Sequence, residues 1–504
     1  MMKSLYSVAE IRSIEQSMAE RLPAGALMQR AGEAATDAAR AMLAGRKILL
    51  LAGPGNNGGD ALEVAARLAG NATDLDADVT VLYCPGASSP SPETAQALAR
   101  ARASNARFVD SLPLGRDWSL IVDGLFGIGL ARPITGQMRA LVEAINALGR
   151  PVLALDVPSG LDADTGAVIG TGIGTDHGAG GVAIRATRTI TFIGDKPGLH
   201  TCEGRDYAGQ VQLAPLGIDP GQRPPAAARL NEPALFATCL AQRPHNSHKG
   251  SFGDVAVIGG ARGMAGAPLL SARGALLTGA GRVFLAAIEA LGAVDFLQPE
   301  IMLRDAQAFD SGDATLVIGP GMGDSVTAMR VLSKALDGKA ALVLDADALN
   351  LLAASADLQG RLAQRAAAAI ATPHPLEAAR LLGVTSALVQ GDRLAAAREL
   401  AARLHAVVVL KGSGTVIADA SGAVVINPTG NAGLATAGSG DVLAGICGSL
   451  LAQGWPAWEA ALGAVWVHGA AADRLVAQGN GPIGLTAGEL PLAARAVLNA
   501  LARN

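Results

Sequence analysis

Two α/β domains built on mostly parallel sheets are what this sequence predicts, on three observations. Short apolar runs alternate with helical patterns twice over, the way strands and crossover helices read along a chain. The stretch Pro-Gly-Gln-Arg-Pro-Pro-Ala-Ala-Ala-Arg, Pro220 to Arg229, is rich in proline and glycine and lacks periodicity. The chain has 504 residues, half of them hydrophobic, which predicts two or three domains at about 100–200 residues each, every one able to bury a core. The boundary is expected near residue 225, giving domains 1–225 and 226–504.

In the first half, Lys47–Ala52 reads as a strand, Gly53-Pro-Gly-Asn-Asn-Gly-Gly-Asp60 as the loop after it and Ala61–Leu68 as the helix beyond that loop. Val79–Tyr83, Leu120–Asp123, Val152–Asp156 and Thr189–Ile193 read as further strands, with a strand-like Val211–Leu213 before the linker. Asp60, Asp123 and Asp156 fall at or just beyond strand ends, the edge where open α/β sheets bind ligands. One such Asp could equally cap a helix. Three converging on one edge point to a site.

In the second half a helix is expected to start near Asn231. Asp254–Ile258, Val283–Ala287, Thr315–Ile318, Ala341–Leu344, Ile370–Thr372 and Val407–Leu410 read as strands. Loops with polar content come after them: Gly319-Pro-Gly-Met-Gly323, Asp345-Ala-Asp-Ala-Leu-Asn350, Thr372-Pro-His-Pro-Leu-Glu377 and Lys411-Gly-Ser-Gly-Thr415. They share a sheet edge with the run Asn431–Asp441. A helix from roughly Trp458 to Leu475 is expected to cover one face.

Composition excludes several classes. Alanine and glycine dominate and aromatics make up 3%, which suits helices packed closely on parallel strands and not surfaces that stack single-stranded nucleic acid. A formal net charge of −4 and a pI near 6.0 leave no basic stripe for a nucleic acid backbone. Cys84, Cys202, Cys239 and Cys447 form no C-x-x-C pair, so neither a disulfide framework nor a zinc site is indicated and a reducing cytoplasm fits. No stretch reaches the roughly 18 apolar residues of a membrane span, and no targeting signal is read. The seven histidines include no H-E-x-x-H and read as surface or packing residues, His374 excepted.

Chemistry concentrates in Asn431-Ala-Gly-Leu-Ala-Thr-Ala-Gly-Ser-Gly-Asp441. Its glycines let backbone approach an anion, and the unpaired N–H groups of the helix beginning near Asp441 favour negative charge. A carboxylate in such a cradle opposes that field. Its purpose would be to take a proton from a hydroxyl reacting at phosphorus.

The loop Gly53–Asp60 is neither a Walker A loop, since the Lys-Ser/Thr pair is missing, nor a clean G-x-G-x-x-G. Asn56 and Asn57, with Asp123 and the hydroxyl of Ser159, offer oxygen ligands for a hard cation, while backbone N–H groups suit phosphate. One carboxylate among neutral oxygens fits a weakly held monovalent ion better than calcium or magnesium. Gly124-Leu-Phe-Gly-Ile-Gly-Leu-Ala-Arg-Pro133 adds a second glycine-rich loop, whose Arg132 could neutralise a phosphate.

These motifs carry a resemblance. N-N-G-G-D (Asn56 to Asp60), V-D-G-L-F-G-I-G (Val122 to Gly129), D-V-P-S-G (Asp156 to Gly160) and I-G-D-K-P-G-L (Ile193 to Leu199) resemble the NAD(P)H-hydrate epimerase domain. H-K-G-S-F-G (His248 to Gly253), G-P-G-M-G, D-A-D-A-L-N, T-P-H-P, K-G-S-G-T and the run to Asp441 resemble the ribokinase-like NAD(P)H-hydrate dehydratase. In this order, over nearly the whole chain, they look like the bacterial bifunctional nicotinamide nucleotide repair enzymes.

The resemblance implies a Rossmann-like three-layer domain followed by a ribokinase-like α/β domain. It implies an isomerase that interconverts the R and S forms of NADH or NADPH hydrated at C6, and a lyase that dehydrates the S form at the expense of ADP or ATP, ADP being usual for bacterial members. Carried over, Asn57, Asp123 and Ser159 would hold K+, and Asn56, Asn57, Gly58, Gly59, Asp60, the loop Gly127, Ile128, Gly129, Leu130, Ala131, Arg132, Pro133, and Asp156 would hold the hydrate. Ala267, Gly323, His374 and Asp441 would hold it in the second domain, and Lys411, Gly412, Ser413, Gly414, Thr415 and Gly440 the ADP with its Mg2+. A homo-oligomer is expected, with no nucleic acid or membrane partner. Where a glycine usually comes after N-N-G-G-D this chain has Ala61, whose methyl is expected to tighten the helix start.

The chemistry agrees with that reading. Hydroxide leaves carbon reluctantly, whereas a phosphate ester departs easily with the ring nitrogen lone pair pushing. Asp441 would deprotonate the C6 hydroxyl while N–H groups around Gly438–Gly440 stabilise the moving phosphoryl group. For epimerisation Asp156 is favoured over Asp123 as the acid–base group, since a cation on Asp123 should keep it ionised. Two rivals are a ribokinase-class small-molecule kinase fused to a nucleotide-binding domain, and a non-catalytic N-terminal module. The first leaves N-N-G-G-D and D-V-P-S-G without a use; the second leaves Asn57, Asp123, Asp156 and Ser159 without one.

Overall fold

A computed structural model describes residues 3–70, 77–86, 89–113, 115, 117–171, 180–240, 242–289, 292 and 294–503. The chain divides into two compact units, Lys3–Arg229 and Leu230–Asn504.

Strands of the first unit are β1 (Ser4–Leu5), β2 (Lys47–Ala52), β3 (Asp78–Tyr83), β4 (Arg107–Val109), β5 (Leu120–Gly124), β6 (Val152–Leu155), β7 (Arg188–Phe192) and β8 (Gln210–Ala214), with β9 (Ala228–Leu230) at its end. A parallel sheet runs in the order β4-β3-β2-β5-β6-β7-β8. Strand β2 shows why it has three layers. Ile48, Leu50 and Ala52 pack on one face with the helices Val8–Ala19, Ala26–Met42, Asn56–Leu68 and Pro92–Ala103, while Leu49 and Leu51 pack on the other with Gly136–Leu148. A strand buried on both faces reads as a continuous apolar run, and each Leu or Ile fully buried contributes roughly 1.5–3 kcal/mol.

One boundary differs from the sequence reading. The helix expected from Ala61 begins at Asn56, with Gly55 as its N-cap, so N-N-G-G-D is its first turn and not a loop. The glycines there serve close packing. A Cβ on Gly58 would lie 1.9 Å from the Gly53 carbonyl oxygen, and one on Gly59 would lie 2.5 Å from Met28 Cε. Ala61 is fully buried against Gly124, where an added Cβ would come within 2.6 Å of the Ala61 methyl. The methyl is therefore housed by the missing side chain on β5. In the linker, Pro220–Gln222 forms a 3-10 turn, and β9 pairs antiparallel with β1, Ser4 opposite Arg229.

In the second unit the strands are β10 (Asp254–Gly259), β11 (Arg282–Ala287), β12 (Met302–Asp305), β13 (Thr315–Ile318), β14 (Leu342–Leu344), β15 (Ala369–Ala371), β16 (Val407–Leu410), β17 (Val416–Ala418) and β18 (Val424–Ile426). They lie in the order β18-β17-β16-β15-β14-β13-β10-β11-β12, with β17 antiparallel to both neighbours and the rest parallel. The helices Ser439–Ala452 and Ala457–Ala477 fill the core on one face, the second being the expected Trp458–Leu475 element. Small residues let helices meet backbone to backbone: a Cβ on Gly445 would lie 2.0 Å from the Ser271 carbonyl oxygen of the helix Gly266–Leu277.

No helix starts at Asn231; that buried amide donates to Asn427 Oδ1 at 3.0 Å and to the Leu462 carbonyl at 2.9 Å, and a 3-10 turn comes next at Pro233–Leu235. The segments expected as loops at Asp345–Asn350 and Thr372–Glu377 open the helices Ala346–Ala353 and Pro375–Leu382, with Asp345 and His374 at the N-cap positions, of which only His374 makes side-chain capping bonds. Among the described residues no helix is long and apolar enough to cross a membrane.

Chain order reverses between β2 and β5 in the first sheet and between β10 and β13 in the second. Ligands of open α/β sheets bind outside the carboxyl ends of strands at such reversals.

Candidate functional site

At the first reversal β2 feeds the helix Asn56–Leu68, whose N-cap Gly55 makes no side-chain capping bond. Its first-turn N–H groups lack a capping side chain and suit an anion. Beside it β5 delivers Asp123, fully buried. Asp123 Oδ1 accepts from the Leu125 N–H at 3.2 Å and the Ser159 hydroxyl at 2.7 Å, and Oδ2 accepts from the Ser159 N–H at 2.8 Å. Burial pushes this carboxyl up to about 6, although those hydrogen bonds favour its charged form.

Asn57 Nδ2 donates to the Phe126 carbonyl at 3.0 Å, and Ser159 Oγ also reaches that carbonyl at 3.1 Å. Asn57 Oδ1, however, is buried without a hydrogen-bond partner. An orphaned acceptor costs roughly 1–3 kcal/mol, which an oxygen-seeking cation would offset. Asn57, Asp123 and Ser159 thus converge through Phe126, and the ligand atoms they could offer are all oxygen, as a hard cation prefers. Among the described residues no cluster of three His, Cys, Asp or Glu forms a metal site.

A cavity of about 670 Å³ opens here. Of the expected residues, Asn56, Asn57, Asp60, Asp156 and the loop from Gly127 to Arg132 line it. Gly58 and Gly59 do not; they are buried in the packing described above. Pro133 also lies outside the lining and packs near Gly170. Asp156 adopts φ +64° just beyond β6. Its Oδ1 accepts from Lys196 Nζ at 2.5 Å, and that ammonium, with no exposed side-chain surface, also donates to Thr191 Oγ1 at 2.7 Å and the Phe192 carbonyl at 2.9 Å. Burial, Asp156 and Glu15 raise Asp60 well above the ordinary carboxylate range, and burial with Asp156 raises Glu15.

In the second unit the helix Ser439–Ala452 starts from Gly438 at φ +90° without a side-chain cap. That leaves an anion cradle with Asp441 in its first turn. Burial, then repulsion from Asp345, pushes the Asp441 carboxyl up to about 7, with Lys411 opposing. Lys411 Nζ bonds Asp345 Oδ1 at 2.5 Å and lies 3.9 Å from Glu377 Oε2. Burial works against its charge, but Asp345 and Glu377 outweigh burial and hold it above the usual lysine range. A Cβ on Gly440 would sit 3.4 Å from Lys411 Nζ, so these two expected ADP contacts are neighbours.

The rest of Lys411–Thr415 is braced from behind. Gly412, at φ +142°, presses on the buried guanidinium of Arg393, where a Cβ would lie 2.8 Å from a terminal nitrogen. Arg393 donates to the Leu410 and Lys411 carbonyls at 3.1 and 3.2 Å. Gly412 and Ser413 are exposed, Thr415 is partly exposed and bonds the Gly412 carbonyl at 3.1 Å, and Gly414 is buried at φ +59°.

At the second reversal Gly323, φ +69°, donates its N–H to Asp347 Oδ2 at 2.8 Å. Ala267 borders the same loop, its methyl 3.2 Å from where a Gly321 Cβ would be. His374 is the N-cap of Pro375–Leu382: its Nδ1 accepts from the Leu376 and Glu377 N–H groups at 3.1 and 3.2 Å, and burial and Lys411 lower its pKa. Burial raises Glu377 to about 7.

Sequence reasoning gives no role to Arg12, Glu15, Lys196, Glu377, Arg393 or His468. Arg12 and Glu15 lie on an amphipathic helix that carries no glycine motif, and Lys196 sits inside the motif I-G-D-K-P-G-L. His468 is buried, its Nε2 without a partner, and burial lowers it to about 4 beside the Ser439 backbone. Nothing in its local sequence signals that.

Residues 24–198 match the family described as YjeF-related protein N-terminus, and residues 255–490 the family described as NAD(P)H-hydrate dehydratase. The bifunctional NAD(P)H-hydrate repair enzyme Nnr of Coxiella burnetii is 39% identical over 504 residues, 97% of this chain and 98% of that protein. Its namesake from Escherichia coli is 39% identical over 466 residues, 90% of this chain and 85% of that one. Among solved structures, the ADP/ATP-dependent NAD(P)H-hydrate dehydratase from Bacillus subtilis, co-crystallised with ATP and Mg2+, is 30% identical, covering 54% of this chain and 97% of its own, at a TM-score of 0.47.

Proposed function

The chain belongs to the bifunctional NAD(P)H-hydrate repair enzymes, and from that premise we propose how its two sites divide the repair. The first unit interconverts the R and S hydrates of NADH and NADPH in the cavity around Asp156. The second dehydrates the S form, with ADP as phosphate donor. Both act in the cytoplasm, where the four free cysteines stay reduced.

The observation that carries this reading is the placement of Asp441 in an uncapped helix start next to Lys411 and Asp345. A base whose pKa lies near the working pH is best suited to take a proton. Asp441 receives the C6 hydroxyl proton, the C6 oxygen attacks the terminal phosphorus of ADP, and AMP leaves. The C6–O bond then breaks as the N1 lone pair pushes, phosphate departs, and loss of a proton from C5 restores the dihydropyridine. Lys411 and the N–H groups at Ser439–Gly440 stabilise charge on the phosphoryl group. Asp345 and Asp347 offer the hard oxygens that suit Mg2+ arriving with the nucleotide, which would neutralise phosphate charge there.

In the first unit Asn57, Asp123 and Ser159 would hold K+, which would supply a fixed positive charge for hydroxyl oxygens of the substrate. Asp156 exchanges the proton as C6 opens and recloses on the other face, and Lys196 fixes its carboxylate. Incubating the protein with hydrated NADH, with and without ADP, tests the reading through the return of NADH absorbance. Recovery that requires ADP supports it; recovery equal in both arms, or none, contradicts it.

A further inference from the structure

We propose that Arg12, on the helix Val8–Ala19, is a specificity-determining residue of the epimerase cavity that holds the pyrophosphate of the hydrated dinucleotide together with Arg132. The inference rests on the epimerase reading of this cavity.

The cavity's charges are segregated. Glu15 is partly buried, Asp60 is 8% exposed and the Asp156 side chain 13%, whereas Arg12 and Arg132 are exposed. Among the described residues neither guanidinium closes a hydrogen bond or ion pair; Glu15 feels the charge of Arg12 without a salt bridge between them. Arginines elsewhere on this unit include engaged ones: Arg100 pairs with Glu63, and Arg139 bonds Glu143 and the Gly180 carbonyl.

A dinucleotide hydrate carries negative charge on the pyrophosphate, and on the adenosine 2′-phosphate in the NADPH form, and none on the hydrated ring. Phosphate oxygens are repelled by the carboxylates and attracted by two unengaged guanidiniums, whose forked N–H donors match them. The ring therefore goes inward to Asp156 and the pyrophosphate stays outward on Arg12 and Arg132.

The helix that carries Arg12 is well anchored. Ser7 and Glu10 form a capping box, and Ile11, Ile14 and Met18 are buried. Ile11 is itself part of the cavity lining, which fixes where the neighbouring Arg12 starts. Residue 12 lies upstream of the 24–198 segment that matches the family.

Arg12→Ala and Arg12→Lys in the full chain test this, with R and S hydrates separated chromatographically at two ionic strengths. Arg12→Ala is expected to raise the epimerase KM about tenfold with kcat within about twofold, as loss of one charge-assisted contact made equally in ground and transition states. It should also flatten the salt dependence of KM and weaken inhibition by inorganic pyrophosphate by a similar factor, and Arg12→Lys should recover part of each. An unchanged KM and pyrophosphate inhibition, or a loss confined to kcat, would overturn the assignment. The epimerase reading stands apart: it fails only if the unsubstituted protein does not interconvert the hydrates in the same assay.

Discussion

Lys196 donates from a fully buried ammonium to Asp156 Oδ1 at 2.5 Å, while Asp156 itself holds a left-handed backbone at φ +64°. The cation's other hydrogen-bond partners are Thr191 Oγ1 and the Phe192 carbonyl, so among the described residues the aspartate is its one salt-bridge partner. Breaking one side of a buried pair costs about 3–5 kcal/mol, less where the survivor reaches solvent, as Asp156 does through the cavity. Lys196→Met should lower the thermal midpoint of the first unit and abolish epimerisation while ADP-dependent dehydration persists. Calorimetry with both activity assays checks this, and an unchanged midpoint with full epimerase activity would count against the pairing.

Asp441 gives a pH dependence with a definite sign. Burial places its carboxyl at about 7, so at lower pH it already carries a proton and could not act as the proposed base, and kcat/KM for dehydration should fall roughly tenfold per pH unit below that point. An unfolded Asp ionises near 4, so the folded protein binds the extra proton between about 4 and 7, and Asp441 costs stability increasingly as pH rises through that window. Asp441→Asn should therefore abolish dehydration yet raise Tm at pH 8, with the gain fading as the pH falls toward 4. A lower Tm at pH 8 would show that the carboxylate is stabilising and the cradle misread.

The orphaned Asn57 Oδ1 beside Asp123 and Ser159 predicts a cation response. Asp123→Ala should lower epimerase activity and remove its dependence on potassium while leaving dehydration intact. An unsubstituted protein equally active in potassium-free buffer, or a variant that silences both activities, would make Asp123 a structural cap.

Much of this arrangement is legible in the sequence because strand ends announce themselves. Lys47–Ala52 and Val407–Leu410 are apolar runs bounded by glycine and polar residues, and the structure keeps both as strands. Segments just past the strands are harder to read. Asn56 and His374 look like loop residues, yet one begins a helix and the other caps one, because tertiary packing at Gly58 and a capping box with Glu377 outweigh local propensity. The short strands Arg107–Val109 and Met302–Asp305 end their sheets and are too brief to show alternation. Lys196, Arg393 and His468 are silent for a different reason: their burial is created by tertiary packing, and a single buried polar side chain leaves no periodic trace in the sequence.

The most direct test of two sites working in series uses an equimolar mixture of R and S hydrated NADH with ADP, at a pH where uncatalysed epimerisation is slow, tracking NADH absorbance to completion. Asn tolerates the left-handed backbone at position 156 and its amide oxygen can still accept from Lys196, so Asp156→Asn removes the carboxylate proposed to exchange the proton with little strain. The unsubstituted protein should recover all the NADH, Asp156→Asn only the S half in a single fast phase, and Asp441→Asn none. Full recovery at the unsubstituted rate by Asp156→Asn, or any enzyme-dependent recovery by Asp441→Asn, would contradict the division of the repair between these two carboxylates.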